Sequence, residues 1–126
     1  MKVERIGHGT RAVEDRRLLD YLAKNRIPLE VCPLSNVRTG VVSAIEEHPI
    51  RTFFERGLLF SVNTDDPKMF GNSLAQEYAV SMERFGSSPA GVRALIIQAI
   101  ETSWLAPGEK QKLIASFEAD GAWGGL

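Results

Sequence analysis

Cysteine is nearly absent from this chain: Cys32 is the only one in 126 residues, so no internal disulfide can form. An excess of one charge is absent too. The 15 basic residues stand against 16 acidic ones, which leaves no bulk field to draw nucleic acid or an anionic membrane. No stretch approaches the ~20 apolar residues of a membrane span or reads as the apolar core of a secretory leader. A soluble, reducing, cytoplasmic setting is therefore expected, and partners must be argued from local sites. Repeats and low-complexity segments are missing, apart from Gly121-Ala122-Trp123-Gly124-Gly125-Leu126, which reads as a loose tail with one aromatic available to dock. A glycine-rich phosphate loop is missing as well, which counts against a self-sufficient domain for phosphorylated ligands.

What remains is 44% apolar residues and 25% charged ones in a length that suits one domain or part of one. Lys2-Val3-Glu4-Arg5-Ile6 alternates like a strand and runs into Gly7-His8-Gly9-Thr10. The flanking glycines leave His8 free of side-chain bulk and permit a sharp turn, either facing a ligand or simply closing the strand. Leu18, Leu19 and Leu22 then fall at helical spacing between Val13 and Lys24. Ile27-Pro28-Leu29-Glu30-Val31-Cys32-Pro33 reads as a second short strand, followed by a polar loop whose Ser35, Asn36, Arg38 and Thr39 either meet a ligand or face water. His48-Pro49 starts a helix with Ile50, Phe53 and Phe54 as its buried stripe, which makes His48 a helix-start residue rather than a ligand. Gly57 closes it.

The third strand, Leu58-Leu59-Phe60 onward, leads into Ser61-Val62-Asn63-Thr64-Asp65-Asp66-Pro67. Successive strand residues point to opposite faces, so one of Asp65 and Asp66 continues inward while the other turns aside. An inward carboxylate at a strand's C-terminal end suits a metal or a proton; the plainer reading is that Asp-Asp-Pro starts a turn or caps the next helix. Lys68-Met69-Phe70-Gly71 reads as a loop whose two large apolar side chains either roof a pocket or pack beneath it, with packing the favoured reading. Three helices follow: one capped by Asn72 or Ser73, with Leu74, Ala75, Tyr78, Ala79 and Met82 on one face and Glu77 near its start; one from Pro89; and one from Pro107, with Leu113, Ile114 and Phe117.

Alternating strands and helices imply an α/β fold with a parallel sheet, in which His8, Ser35-Asn36 and Asp65-Asp66 share the C-terminal strand edge. Three polar signals converging on one edge favour a functional site. Three strands cannot close an eight-stranded barrel, however, and leave two unpaired edges. Either the sheet is complete and open, or the chain is a piece of something larger; entry directly into a strand favours the piece.

Arg5-Ile6-Gly7-His8-Gly9-Thr10, Pro28-Leu29-Glu30-Val31-Cys32-Pro33-Leu34-Ser35-Asn36 with His48-Pro49, and Val62-Asn63-Thr64-Asp65-Asp66-Pro67 together resemble the C-terminal motifs of the adenosine deaminase family. The resemblance spans nearly the whole chain. It implies the C-terminal part of a TIM (β/α)8 barrel, residues 1–126, comprising strands six to eight with helices and two C-terminal helices. It also implies hydrolytic deamination of a 6-aminopurine by zinc-activated water, with Asp65 as a Zn2+ ligand, His8 as the catalytic histidine that contacts the water, and Asp66 hydrogen-bonding a purine nitrogen.

The family's remaining ligands, a His-x-His motif and a further histidine, and its catalytic glutamate have no counterpart here. The fragment alone is therefore expected to be inactive, since a catalytic zinc takes about three protein ligands. The Pro-Cys-x-x-Cys class of zinc deaminases is excluded by the single cysteine. The expected partner is a purine nucleoside or base, with adenosine, adenine and aminodeoxyfutalosine all open, and with no nucleic acid or membrane. The alternative reading is a non-enzymatic half-barrel that assembles with its own copy or a complementary N-terminal half.

Overall fold

The computed structural model describes residues 3–123. Its centre is a parallel sheet of β1 (Ile6–Gly7), β2 (Leu29–Val31) and β3 (Phe60–Val62) in that spatial order. The register places Leu29 beside Ile6 and Phe60, and Val31 beside Val62, so one face is continuously apolar. Against it pack α1 (Arg16–Lys24), α3 (Ile50–Glu55) and α6 (Pro89–Glu101), which bring Leu19, Leu22, Ile50, Phe53 and Leu95 into a single core. The opposite face carries Gly7, Glu30 and Ser61 in one row.

The strands are shorter than their sequence patterns. Lys2 lies outside the described residues, and β1 begins only at Ile6. Gln98 of α6 donates to Phe60 O at 2.7 Å. Because Leu59 O accepts from Leu29 and Asn63 donates to Val31 O, the intervening Phe60 carbonyl faces away from β2. One of the two expected edges is therefore partly capped by a side chain.

Several helices depart from expectation. Asp15 caps α1 by accepting from Arg17 N and Leu18 N, after a 3-10 turn at Thr10–Glu14. The polar stretch after β2 is a helix, α2 (Pro33–Arg38), not a loop. Lys68 to Phe70 lies in another short helix, α4 (Pro67–Phe70), and Met69 stands exposed instead of packing beneath it. Pro49 occupies the cap of α3 and not its first helical position; Phe54 is half exposed while Ile50 and Phe53 are buried.

Ser73 rather than Asn72 caps α5 (Leu74–Phe85), with Gln76 completing a reciprocal capping box. Its buried face is rotated from the expected stripe: Glu77 and Ser81 are inside, whereas Leu74 and Met82 are exposed. The last helix, α7 (Pro107–Glu118), buries no residue fully, and Leu113 faces solvent. Trp123 does dock, 4.8 Å from the Phe117 ring; residues 124–126 of the expected tail lie outside the described residues.

Candidate active site

The C-terminal strand edge gathers the expected residues. After β1, His8 has φ 56, and after β3, Asp65 has φ 60. Both are non-glycine residues in the left-handed region, a conformation that costs on the order of 1 kcal/mol and persists where surroundings enforce it. The enforcing contacts are visible. His8 N donates to Glu30 O at 2.9 Å, and Gly9 follows at φ 68, where a Cβ would lie 2.7 Å from Leu29 Cδ2. Only glycine fits that turn, which explains the residue on one side of His8.

His8 Nε2 faces Asp65 Oδ2 at 3.7 Å, across an open cleft of about 400 Å³ that is also lined by Gly7, Cys32, Asn63 and Leu74. Behind the pair stands α2, whose first turn aims its polar side chains inward. Ser35 Oγ donates to Asp65 Oδ2 at 2.7 Å, and Asn36 Nδ2 donates to His8 Nδ1 at 3.1 Å. Both residues are buried. Thr39 Oγ1 donates to Ser35 O, so of the four polar residues expected to meet a ligand or water, Ser35, Asn36 and Thr39 are engaged within the protein instead.

Two residues that sequence reasoning set aside belong to this support. His48 is buried and hydrogen-bonds Asn36 Oδ1 through Nε2 at 3.1 Å, placing it behind the site as well as at a helix start. Burial lowers its pKa to about 4, so it is neutral. Glu77, expected to serve only the dipole of α5, is fully buried and accepts from Leu34 N at 3.2 Å and Asn72 Nδ2 at 2.6 Å. Asn72 also donates to Thr64 O. One carboxylate thus ties the start of α2 to the loop that carries Asp65. Burial nevertheless holds the Glu77 carboxyl above its ordinary pKa. The only sequence signal for Glu77 was its place beside an apolar stripe, which an exposed helical glutamate shares.

The adjacent aspartates point different ways, but not by strand alternation: β3 ends at Val62, and the left-handed backbone at Asp65 turns the two side chains apart. Asp65 faces the cleft, whereas Asp66 caps α4, its Oδ1 accepting from Lys68 N at 3.0 Å and Met69 N at 2.8 Å. Asp66 Oδ2 makes no hydrogen bond within the chain's described residues.

The donor atoms of His8, Cys32 and Asp65 lie within 4.8 Å of one another. Burial, with the charges of Asp65 and Glu77 adding, pushes the Cys32 thiol up to about 12, so it stays protonated and points at Glu30 O. A thiolate is the ligand form of cysteine. Asp65, oriented by Ser35 and open to the cleft, fits one position of a zinc site with His8 beside it, and further ligands are required to complete the set.

A family model for adenosine deaminase matches residues 1–119. The chain is 40% identical over 124 residues to the aminodeoxyfutalosine deaminase of Streptomyces avermitilis, covering 98% of this chain and 35% of that protein. It is 46% identical over 110 residues to the adenosine deaminase of Salmonella heidelberg, covering 87% and 33%. The fold matches the crystal structure of adenine deaminase from Arthrobacter aurescens with a TM-score of 0.86 at 34% identity, over 90% of this chain and 35% of that one. The chain spans about a third of the length of these relatives. The solved neighbours are TIM barrels, and the three parallel strands with their helices correspond to part of one.

Proposed function

This chain belongs to the adenosine deaminase family, and on that premise we propose that residues 1–126 form the C-terminal portion of a cytoplasmic barrel enzyme. The complete enzyme hydrolyses the 6-amino group of adenosine or a related 6-aminopurine to a 6-oxopurine and ammonia. The observation that carries this reading is the His8–Asp65 pair across an open cleft, each side chain held from behind by α2. A zinc ion bound there supplies a water of lowered pKa and a Lewis acid.

Asp65 contributes one carboxylate to the metal and orients the attacking water through an oxygen. Ser35 holds that carboxylate in place by its 2.7 Å bond to Oδ2. His8 presents Nε2 to the cleft, where it stabilises charge developing on oxygen as water adds to the purine carbon. Asp66 hydrogen-bonds a purine nitrogen through the oxygen left free by its capping bonds, with one proton shared between these two acceptors. The remaining metal ligands and the general acid-base come from outside these 126 residues, so the chain alone is inactive.

An antibody against residues 61–67 tests this by isolating the native polypeptide for measurement of its mass, zinc content and ammonia release. Adenosine, adenine and aminodeoxyfutalosine are the substrates to offer. A barrel-sized, zinc-loaded protein that releases ammonia is expected. A barrel-sized protein inactive on all three overturns the substrate reading. A species no longer than this chain, without zinc or activity, supports instead a non-enzymatic half-barrel that assembles with a partner chain, the reading motivated by the strand edge of β1.

A further inference from the structure

Only two histidines occur in the chain, and the structure joins them through one amide. The connection starts at a group that cannot titrate. Ile50 N donates to His48 Nδ1 at 3.2 Å, so that nitrogen carries a lone pair and no proton. A neutral imidazole with an unprotonated Nδ1 bears its hydrogen on Nε2. His48 Nε2–H therefore donates to Asn36 Oδ1 at 3.1 Å. With its oxygen assigned, Asn36 turns its NH₂ the other way and donates to His8 Nδ1 at 3.1 Å. His8 Nδ1 must then accept, which leaves its hydrogen on Nε2, the nitrogen facing Asp65 and the cleft.

Each link is sheltered. Asn36 is 2% exposed and His48 is 3% exposed, so water does not compete for the amide's two ends. His48 stays neutral, with the Phe85 ring 5.8 Å away. The Asn36 orientation is set from both sides: reversed, the amide would put NH₂ against the His48 N–H and leave His8 without its donor.

We propose that the Ile50 backbone N–H, acting through His48 and Asn36, holds His8 as the Nε2–H tautomer, so that His8 meets the reacting oxygen as a hydrogen-bond donor. Asn36 and His48 are positioning residues; neither reaches the cleft. This deepens the deaminase reading and rests on it only for the identity of the oxygen that His8 meets, since the tautomer exists in the chain without metal or substrate.

The test is a long-range ¹H–¹⁵N correlation spectrum of the histidine-labelled chain at neutral pH, with His48→Gln assigning the two rings. Both histidines are expected as Nε2–H tautomers. In Asn36→Asp a carboxylate replaces the amide, so His8 is expected to convert to the Nδ1–H form. An Nδ1–H or mixed signal from either ring in the unsubstituted chain overturns the proposal, and that reading needs no variant to fold. Retention of the Nε2–H form in a folded Asn36→Asp chain overturns it equally. In the complete enzyme, Asn36→Asp lowers kcat ~100-fold with KM nearly constant. Absence of deamination in the unsubstituted enzyme would defeat the functional reading while leaving the tautomer result standing.

Discussion

The front and the back of the strand edge are built on opposite terms. In front, the His8 and Asp65 side chains are 44% and 36% exposed and face each other across 3.7 Å without further protein contact between them. Behind, Asn36, His48 and Glu77 are buried, and each makes at least two hydrogen bonds. On the proposed function, the groups that meet metal and substrate keep open valences, whereas the groups behind them are satisfied inside the protein, because an unpaired buried polar group costs about 1–3 kcal/mol. Losses in front should therefore appear in chemistry, and losses behind should appear in stability as well.

The largest effect to test that division is Asp65→Asn in the complete enzyme. Asparagine tolerates the positive φ and can still accept from Ser35, but it supplies no carboxylate to the metal. Zinc content and turnover are expected to collapse while the unfolding free energy of the metal-free protein, from urea titration, changes by less than about 1 kcal/mol. Loss of folding alongside loss of metal would break the comparison.

Next is Glu77→Ala, which strands Leu34 N–H and the Asn72 amide. Equilibrium unfolding should show a loss of about 3 kcal/mol, with Glu77→Gln intermediate because one acceptor remains. Glu77 also carries a pH signature. Its raised pKa means that the fold binds its proton more tightly than the unfolded chain does, so stability falls as pH rises from the ordinary glutamate range through the raised value. Glu77→Gln removes that component.

His48 acts with the opposite sign. Its pKa is lowered from 6.5 to about 4 by burial, so the unfolded chain binds the proton first, and stability present above 6.5 is lost as pH falls towards 4. Linkage puts the loss on the order of 1 kcal/mol by about pH 5.5. Urea titrations across this range should show it, and His48→Gln should flatten it. An unchanged acid limb would mean that His48 is open to water.

The smallest effect separates two roles in one front residue. Asp66→Ala should cost about 1 kcal/mol through loss of the α4 cap, whereas Asp66→Ser keeps a capping oxygen and the stability. Both variants raise KM in the complete enzyme if Asp66 holds the purine; recovery of KM by serine would restrict Asp66 to capping.

Much of this was legible in the residues. The existence of three strands, their parallel order and the placement of His8 and Asp65 on one edge follow from apolar runs alternating with helical periods, although the second strand stops at Val31, short of the expected Pro33. The His8-Gly9 turn was marked by its glycine. The back was not legible in the same way. Ser35 and Asn36 looked like loop residues because polar side chains are usually solvated, and nothing local announced that Pro33 would open a helix. His48 looked peripheral because its partner Asn36 lies 12 positions away. Glu77 looked like a surface residue because Leu34 N, 43 positions distant, is invisible from α5. The helices α5 and α7 misled for a related reason: periodicity identifies an apolar stripe but not which neighbours are present to cover it.

By itself, then, the sequence determined the order of strands and helices, the turns that need glycine, and the residue types at the strand ends, since these depend on neighbours within a few positions. The tertiary structure decided which of two aspartates faces the cleft, which nitrogen of His8 bears the hydrogen, and which polar side chains are buried. Those outcomes depend on hydrogen bonds between groups 12 to 43 residues apart, and only the packed fold brings such groups within reach of one another.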